Sequence, residues 1–368
     1  MSVDGHGRVD DAELSPARVA AVDLADQFGV TAGLPRQLEA GYTRAVATLT
    51  GKLPAAPPDG VVVCGMGGSA IGADVVGACL ADLPVPYQVV RGYELPAWVT
   101  ARTLVIAVSY SGNTEETLSC LGRALPRGCR PVCIAAGGRL ADLAARHDLP
   151  FVSVPGGRQP RASIGYLTTP IGACLEAAGL APGFDEQVAE AIEVTTDLAA
   201  ALAPDVADAD NEAKRVARRL LGRLPVIYGA GVTVPAARRW KGQVNENAKA
   251  PAFFNELPEL DHNELAGFAA NPVVAGTIVP VLLDDPAGDE RLRRRLAFTE
   301  AVLAPCVAGV VRVTARGVLP LARVLSSAYL GDFASLYLAV LYGVDPAPVT
   351  VLEDFKARLA GAAGAPAS

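Results

Sequence analysis

Histidine is nearly absent: the 368 residues hold three, His6, His147 and His262. That scarcity leaves no room for a histidine-rich metal centre. Positive charge is short as well. Lys and Arg number 32 against 39 Asp and Glu, a formal net charge of −7. Such a chain offers no basic surface for nucleic acid or for an anionic membrane. Any phosphate it binds has to be gripped locally, by backbone N–H groups and a few hydroxyls. No apolar run is expected to be long enough to span a bilayer. The opening M-S-V-D-G-H-G-R-V-D-D lacks the apolar core of a signal peptide. The cysteines, Cys64, Cys79, Cys120, Cys129, Cys133, Cys174 and Cys306, are odd in number and mostly scattered through apolar stretches. That pattern reads as reduced, buried thiols in a cytoplasmic protein. Cys129 and Cys133 open a strand-like run, C-R-P-V-C-I-A-A, and do not read as a metal pair.

What the chain has in quantity is Ala, Gly, Val and Leu, and 51% of it is apolar. Its length suits two domains of ordinary size. Residues 1–15 are polar and Gly/Asp-rich, so they read as disordered, with His6 a bystander. Helical spacing follows from Pro16 to about Thr50, broken near Gly33–Pro35. A rhythm then sets in. Apolar strands are expected at Val61–Cys64, Tyr87–Val90, Leu104–Val108, Pro131–Ala135 and Phe151–Val154. Helices between and after them are expected at Ser69–Leu80, Asn113–Leu125, Arg139–Arg146 and Ile164–Ala178. Continuous apolar strands alternating with helices mean a parallel sheet covered on both faces. Helices at Asp185–Leu202 and Asn211–Leu221 connect to a restart of the pattern. Pro225–Tyr228 reads as a strand closed by Gly229-Ala230-Gly231, with a helix beginning near Thr233–Pro235. Strands at Ile278–Leu283 and Val310–Val313 and helices at Glu290–Val302, Leu319–Tyr342 and Pro348–Leu359 complete it. The expectation is an N-terminal arm (1–45), two similar α/β domains (46–182 and 183–345), and a C-terminal helix with a loose tail (346–368).

Two loops carry the signature of an anion site. Gly65-Met66-Gly67-Gly68-Ser69 follows a buried strand and opens a helix, whose first N–H groups are unpaired and attract anions. Gly65, Gly67 and Ala70 also fit a dinucleotide fingerprint, but the next strand ends at Val90-Arg91-Gly92, with no acidic residue at its tip to take a ribose hydroxyl. The second loop, Ser109-Tyr110-Ser111-Gly112-Asn113-Thr114, places three hydroxyls where a parallel strand meets a helix. Hydroxyls can donate to a phosphate without adding charge. The plainer reading is a helix cap, with Ser111 or Asn113 as N-cap and Glu115 or Glu116 closing the box. The third stretch, Val244 to Glu264, holds two side chains able to exchange protons near neutrality, Glu246 and His262. Pro251 stops the helix that carries the glutamate. From these residues alone, a solvated helix end followed by a loop histidine is the better account.

Together the motifs resemble a known family. G-M-G-G-S-A-I-G with S-Y-S-G-N-T-E-E-T resembles the first half of a sugar isomerase (SIS) domain. N-E-N-A-K-A-P-A-F-F-N-E-L-P-E-L-D-H-N-E, with Gln159-Pro160-Arg161-Ala162, is similar to the signature of the bifunctional phosphoglucose/phosphomannose isomerases, and the likeness runs from about Leu38 to Leu359. The resemblance implies two tandem SIS-type doubly wound α/β domains and an aldose–ketose isomerase for hexose 6-phosphates, with no cofactor and no metal. It implies that Gly68, Ser69, Ser109, Ser111 and Thr114 hold the phosphate and that Glu246 moves a proton between C2 and C1. Arg161 would steady the enediolate, and His262, reaching in from the partner of a homodimer, would open the ring with help from Lys356. Thr350 would be the small residue that lets mannose 6-phosphate turn in the pocket. A phosphosugar-binding regulator without catalysis, and a nicotinamide enzyme built on the Gly65 loop, are the competing classes.

Overall fold

The computed structural model describes residues 13–362. The chain enters through three helices, α1 (Pro16–Val22), α2 (Gln27–Ala32) and α3 (Leu34–Leu49). The expected break at Gly33 is present, and a second falls at Asp23–Asp26. There the buried Asp23 carboxylate accepts from the N–H groups of Gln27 and Phe28, both at 2.8 Å, and so starts α2. The expectations for residues 1–12 fall outside the described residues.

Five strands follow, β1 (Val61–Cys64), β2 (Tyr87–Val90), β3 (Leu104–Val108), β4 (Val132–Ala135) and β5 (Phe151–Ser153). They form one parallel sheet in the order β2-β1-β3-β4-β5. The interior strands β1, β3 and β4 are buried at every residue, because helices cover both faces. Those helices include α4 (Gly67–Cys79), α5 (Glu115–Ala124), α6 (Gly138–Arg146) and α7 (Ile164–Ala177). The order in which strands are added reverses between β1 and β3, and the crevice beyond the carboxyl ends of those two strands is where doubly wound sheets take ligands.

After α8 (Phe184–Ala201) and α9 (Glu212–Leu220) the pattern restarts. Strand β6 (Leu224–Ala230) leads through a 3₁₀ turn into α10 (Val234–Asn247), then β7 (Phe253–Leu257). A short α11 (Pro272–Ala275), β8 (Ile278–Asp284), α12 (Glu290–Leu303) and β9 (Val311–Thr314) follow, giving a second parallel sheet in the order β7-β6-β8-β9. Strand β7 is not among the expected strands. It is an edge strand paired only with β6, and its Phe-Phe-Asn-Glu-Leu lacks the continuous apolar run of a strand buried on both faces.

The longest helix, α13 (Pro320–Tyr342, 23 residues), runs through the middle of the molecule and is buried from Leu321 to Leu341 except at the half-buried Arg323. By length and composition it could cross a membrane, so the expectation of no such run is corrected. Its apolar faces are covered by α8, α9 and α10 instead. At the α10 crossing, Trp240 lies directly over Gly331: a Cβ there would fall 2.2 Å from the indole. The indole Nε1 donates to the Ser327 carbonyl at 2.7 Å. Burying a side chain of this size stabilises by about 2–3 kcal/mol, and the contact fixes α10, whose far end carries Glu246. The last helix, α14 (Thr350–Ala362), ends the described chain.

Candidate active site

At the top of β1 the backbone turns sharply through Gly67, with φ +50°, so that α4 begins immediately. No side chain caps α4, leaving its first N–H groups free for an anion. Ser69 is buried, and its Oγ accepts from the Tyr110 N–H at 3.3 Å, which ties the first loop to the second. Beyond β3, the Ser109 Oγ lies 2.8 Å from the Thr114 Oγ1 and accepts from the Thr114 N–H at 3.3 Å. The Ser111 Oγ, exposed, accepts from the Asn113 N–H at 3.2 Å. The capping expectation for this loop is not met. Thr114 is the N-cap of α5 and makes no side-chain cap bond, while the Asn113 Oδ1 accepts from the Arg139 N–H at the start of α6. The hydroxyls are therefore not used in capping.

The two loops reach the third element of the site through Gly68. A Cβ at that position would meet the Pro160 carbonyl oxygen at 2.9 Å. Only glycine lets α4 approach the Pro160–Ala162 turn this closely. That turn carries Arg161, which is 4% exposed. Of the five N–H donors on its guanidinium, four are engaged. Nε donates to the Asn247 Oδ1 at 2.7 Å, Nη1 to the Glu246 Oε2 at 3.3 Å, and Nη2 to the Pro346 and Ala347 carbonyls at 2.7 and 2.9 Å. Burial draws the Arg161 pKa below the usual arginine range, and the Glu246 carboxylate opposes that fall. Glu246 itself remains about a third exposed, 36% of its side chain. A carboxylate open to a ligand thus stands beside a fixed cation and a hydroxyl-lined anion site. That combination can remove a proton next to a carbonyl and hold the charge that develops.

His262 is not part of this cluster. It is exposed in a 3₁₀ turn, Glu259–His262, and has no hydrogen bond to Glu246 or Arg161. Topology explains why. Glu246 lies at the end of α10, near the start of β7, whereas His262 follows the other end of β7. At about 3.3 Å per residue, the strand alone puts roughly 13 Å between them. Thr350 is exposed at the start of α14, three residues beyond the Ala347 carbonyl that Arg161 holds. Lys356 falls on the same helix, but its side chain lies outside the described residues. A cleft of about 980 Å³ lies elsewhere, between β2, α4 and the far end of β7. Arg91, at the tip of β2, pairs there with Asp74, which also takes Arg238.

Several residues of the site were not singled out in the sequence. Lys249, with φ +56°, donates from Nζ to the carbonyls of Glu246 and Pro346 at 2.6 and 3.1 Å. Beneath Arg161, the Arg239 Nη2 donates to the Arg161 carbonyl at 2.8 Å and forks with Nε onto the Asp332 carboxylate, both at 2.8 Å. Gln243 adds a donor to the same carboxylate at 2.9 Å. Asn247 Nδ2 donates to the Ser335 Oγ at 2.9 Å. The helical spacing of Arg239, Gln243 and Asn247, four residues apart along one face of α10, was the available signal. Among the described residues, no group of three or more His, Cys, Asp or Glu side chains is placed to hold a metal ion.

Comparison with known proteins gives the family. Residues 209–359 match the bacterial phospho-glucose isomerase C-terminal SIS domain. The bifunctional phosphoglucose/phosphomannose isomerase of Caldicellulosiruptor bescii is 40% identical over 329 residues, spanning 89% of this chain and 97% of that protein. The protein of the same name from Aquifex aeolicus is 36% identical over 305 residues, 82% of this chain and 91% of its own. The crystal structure of a glucose-6-phosphate isomerase-like protein from Thermus thermophilus shares the fold, with a TM-score of 0.61 at 23% identity over 93% of this chain and 98% of that one. At such identity over nearly its whole length, this chain belongs to the bifunctional phosphoglucose/phosphomannose isomerase family.

Proposed function

We propose that the protein interconverts glucose 6-phosphate and fructose 6-phosphate through a cis-enediol, with mannose 6-phosphate as a second aldose substrate. The observation that carries this reading is Arg161, buried and locked beside the open carboxylate of Glu246. The substrate phosphate sits at the start of α4, on the N–H groups near Gly68 and the hydroxyls of Ser69, Ser109, Ser111 and Thr114. This places C1 and C2 toward Glu246. Glu246 takes the C2 proton while the C1 carbonyl oxygen gathers the electron pair. Arg161, which needs no reorganisation to do so, stabilises that charge. The proton on O2 then passes to O1, and as C2 becomes the carbonyl C1 takes a proton back from Glu246. Before this, His262 moves a proton between the ring oxygen and the C1 hydroxyl. Lys356 assists that step on the resemblance alone. Thr350, small and next to the linker held by Arg161, leaves room for the sugar to turn about C2–C3.

His262 belongs to this scheme as a residue of a second copy. The opposite placement of Glu246 and His262 about β7 supports a homodimer in which each site draws its imidazole from the partner. We read residues 46–182 as the phosphate-binding domain and 183–345 as the one bearing the base. Seven free cysteines, six of them buried, support a cytoplasmic setting.

A coupled assay from fructose 6-phosphate to glucose 6-phosphate tests the activity. Glu246→Gln removes turnover and leaves fructose 6-phosphate binding, read by calorimetry, nearly intact; retained turnover removes Glu246 as the base. Mixing Glu246→Gln with His262→Ala, each inactive alone, tests the second copy. Random pairing makes half of the dimers mixed, each with one intact site, so about a quarter of wild-type activity returns. No recovery after exchange of subunits sinks the crossed histidine. A regulator that only binds phosphosugar shows no turnover in the wild type. A nicotinamide enzyme binds NAD(H) on titration.

A further inference from the structure

The reading above gives Arg161 a role, and a guanidinium can rotate about several bonds. Something has to decide which edge of it faces the substrate. Two adjacent residues in the last turn of α10 divide that task. Glu246 meets Nη1 at 3.3 Å, on the open side. Asn247, only 3% exposed, accepts from Nε at 2.7 Å on the closed side. Successive helical residues point about 100° apart, so one dipeptide grips the guanidinium at two of its edges. Asn247 is held in turn. Its Nδ2 donates to the Ser335 Oγ at 2.9 Å, and that hydroxyl donates to the Asp332 carbonyl at 2.7 Å within α13. Both polar ends of the Asn247 amide are thus committed, which fixes its plane and which end accepts. With Nη2 on the Pro346 and Ala347 carbonyls, the one N–H left over is on Nη1, on the Glu246 side.

We propose that Asn247 is the positioning residue of the active site: by accepting from Arg161 Nε with a neutral oxygen, it aims the free edge of the guanidinium at the reacting carbons. Neutrality matters as much as position. A carboxylate at 247 would accept the same bond, but it would cancel the charge that Arg161 offers the enediolate. It would also add a like charge beside Glu246. The charged groups that face Glu246 are Arg161 and Lys249, with Asp345 beyond Lys249 and Arg239 behind Arg161. An added carboxylate on Asn247 would be the nearest anion to the base.

The test rests on the isomerase reading and uses the full chain in the coupled assay from about pH 5.5 to 9. Three quantities are read: kcat, the KM for fructose 6-phosphate, and the inhibition constant of inorganic phosphate. Asn247→Ala lowers kcat on the order of 10- to 100-fold while KM and the phosphate constant stay within about 3-fold. Asn247→Asp keeps the Nε bond, yet the acid limb of its kcat profile moves upward by on the order of one pH unit, since a like charge raises the pKa of the base. Ser335→Ala, which removes only the support behind Asn247, lowers kcat by about 3-fold or more. Should Asn247→Ala fail to fold, the acid limb of Asn247→Asp and the kcat of Ser335→Ala decide. An active wild type with an unmoved acid limb in Asn247→Asp and unchanged kcat in the other variants overturns the role of Asn247 alone. An inactive wild type overturns the isomerase reading itself.

Discussion

Replacing Gly68 with alanine perturbs the site at its tightest joint. The new Cβ would stand 2.9 Å from the Pro160 carbonyl oxygen, 3.2 Å from its carbon and 3.4 Å from the Arg161 nitrogen. All three are backbone atoms, so no side chain can swing away. An ordinary contact needs about 3.5 Å, and one side therefore has to retreat by roughly half an ångström. The Arg161 turn is the stiffer side. Its guanidinium has four acceptors, and its carbonyl takes a bond from Arg239. The first turn of α4 yields instead and carries Ser69 away from the Tyr110 N–H it accepts at 3.3 Å. Overpacking of this kind costs about 1–3 kcal/mol of stability. Misplacing the anion site by a fraction of an ångström lowers kcat/KM on the order of 10- to 100-fold. Denaturant midpoints and the coupled assay read the two effects separately. Gly122→Ala on α5, where a Cβ meets nothing within 4 Å, is the control: it gains up to about 1 kcal/mol by helix propensity and leaves kinetics alone. Wild-type stability and kcat/KM in Gly68→Ala would refute the packing of α4 on the Arg161 turn.

Arg161→Lys keeps the charge and loses the fork. A lysine cannot reach Asn247 and the Pro346 carbonyl together, so kcat falls on the order of 10²- to 10³-fold, measured in the same assay. Gly331→Ala drives a methyl into Trp240 and destabilises by about 3 kcal/mol or more, which the denaturant midpoint reports. Burial raises the pKa of Asp332, more than the Arg239 guanidinium lowers it. The folded state then keeps a proton that the unfolded chain has already lost, so stability from this group falls as pH rises from about 4 through the folded pKa. Asp332→Asn removes that slope. The variant gains on the wild type as pH rises above about 4 in parallel denaturation curves; a widening wild-type advantage contradicts the sign.

The sequence showed the first sheet almost to the residue, because Val61–Cys64, Leu104–Val108 and Val132–Ala135 are covered on both faces and leave unbroken apolar runs. It hid β7, since an edge strand with one neighbour can carry Asn255 and Glu256 without exposing an unpaired core. The hydroxyl loops were legible for a related reason: glycines and serines at the end of a buried strand have few structural uses. Arg161 was legible only through the resemblance. Nothing local to Gln159-Pro160-Arg161-Ala162 says that its guanidinium ends up under Pro346 and against Asn247. Those bonds join segments more than eighty residues apart, and a spacing argument does not reach that far. Asp332, the one acidic residue of the buried helix α13, was a visible irregularity, and its partners Arg239 and Gln243 sit one turn apart on α10.

Proximity in sequence misleads in the stretch that holds both Glu246 and His262. A parallel strand pair needs a crossover, and here α10 and the chain after it form that crossover between β6 and β7. The crossover returns the chain to the end of the sheet where β6 began, and β7 carries it back across. Residues just before β7 and just after it therefore face opposite ends of the sheet, however few positions separate them. If Glu246 and His262 act on one substrate as proposed, the strand between them favours drawing them from different copies. Two copies related by a twofold axis bring unlike ends together twice, once at each site. Exposure of His262 without a side-chain hydrogen bond, at the other end of β7 from a Glu246 left a third open, is what such an assembly would complete.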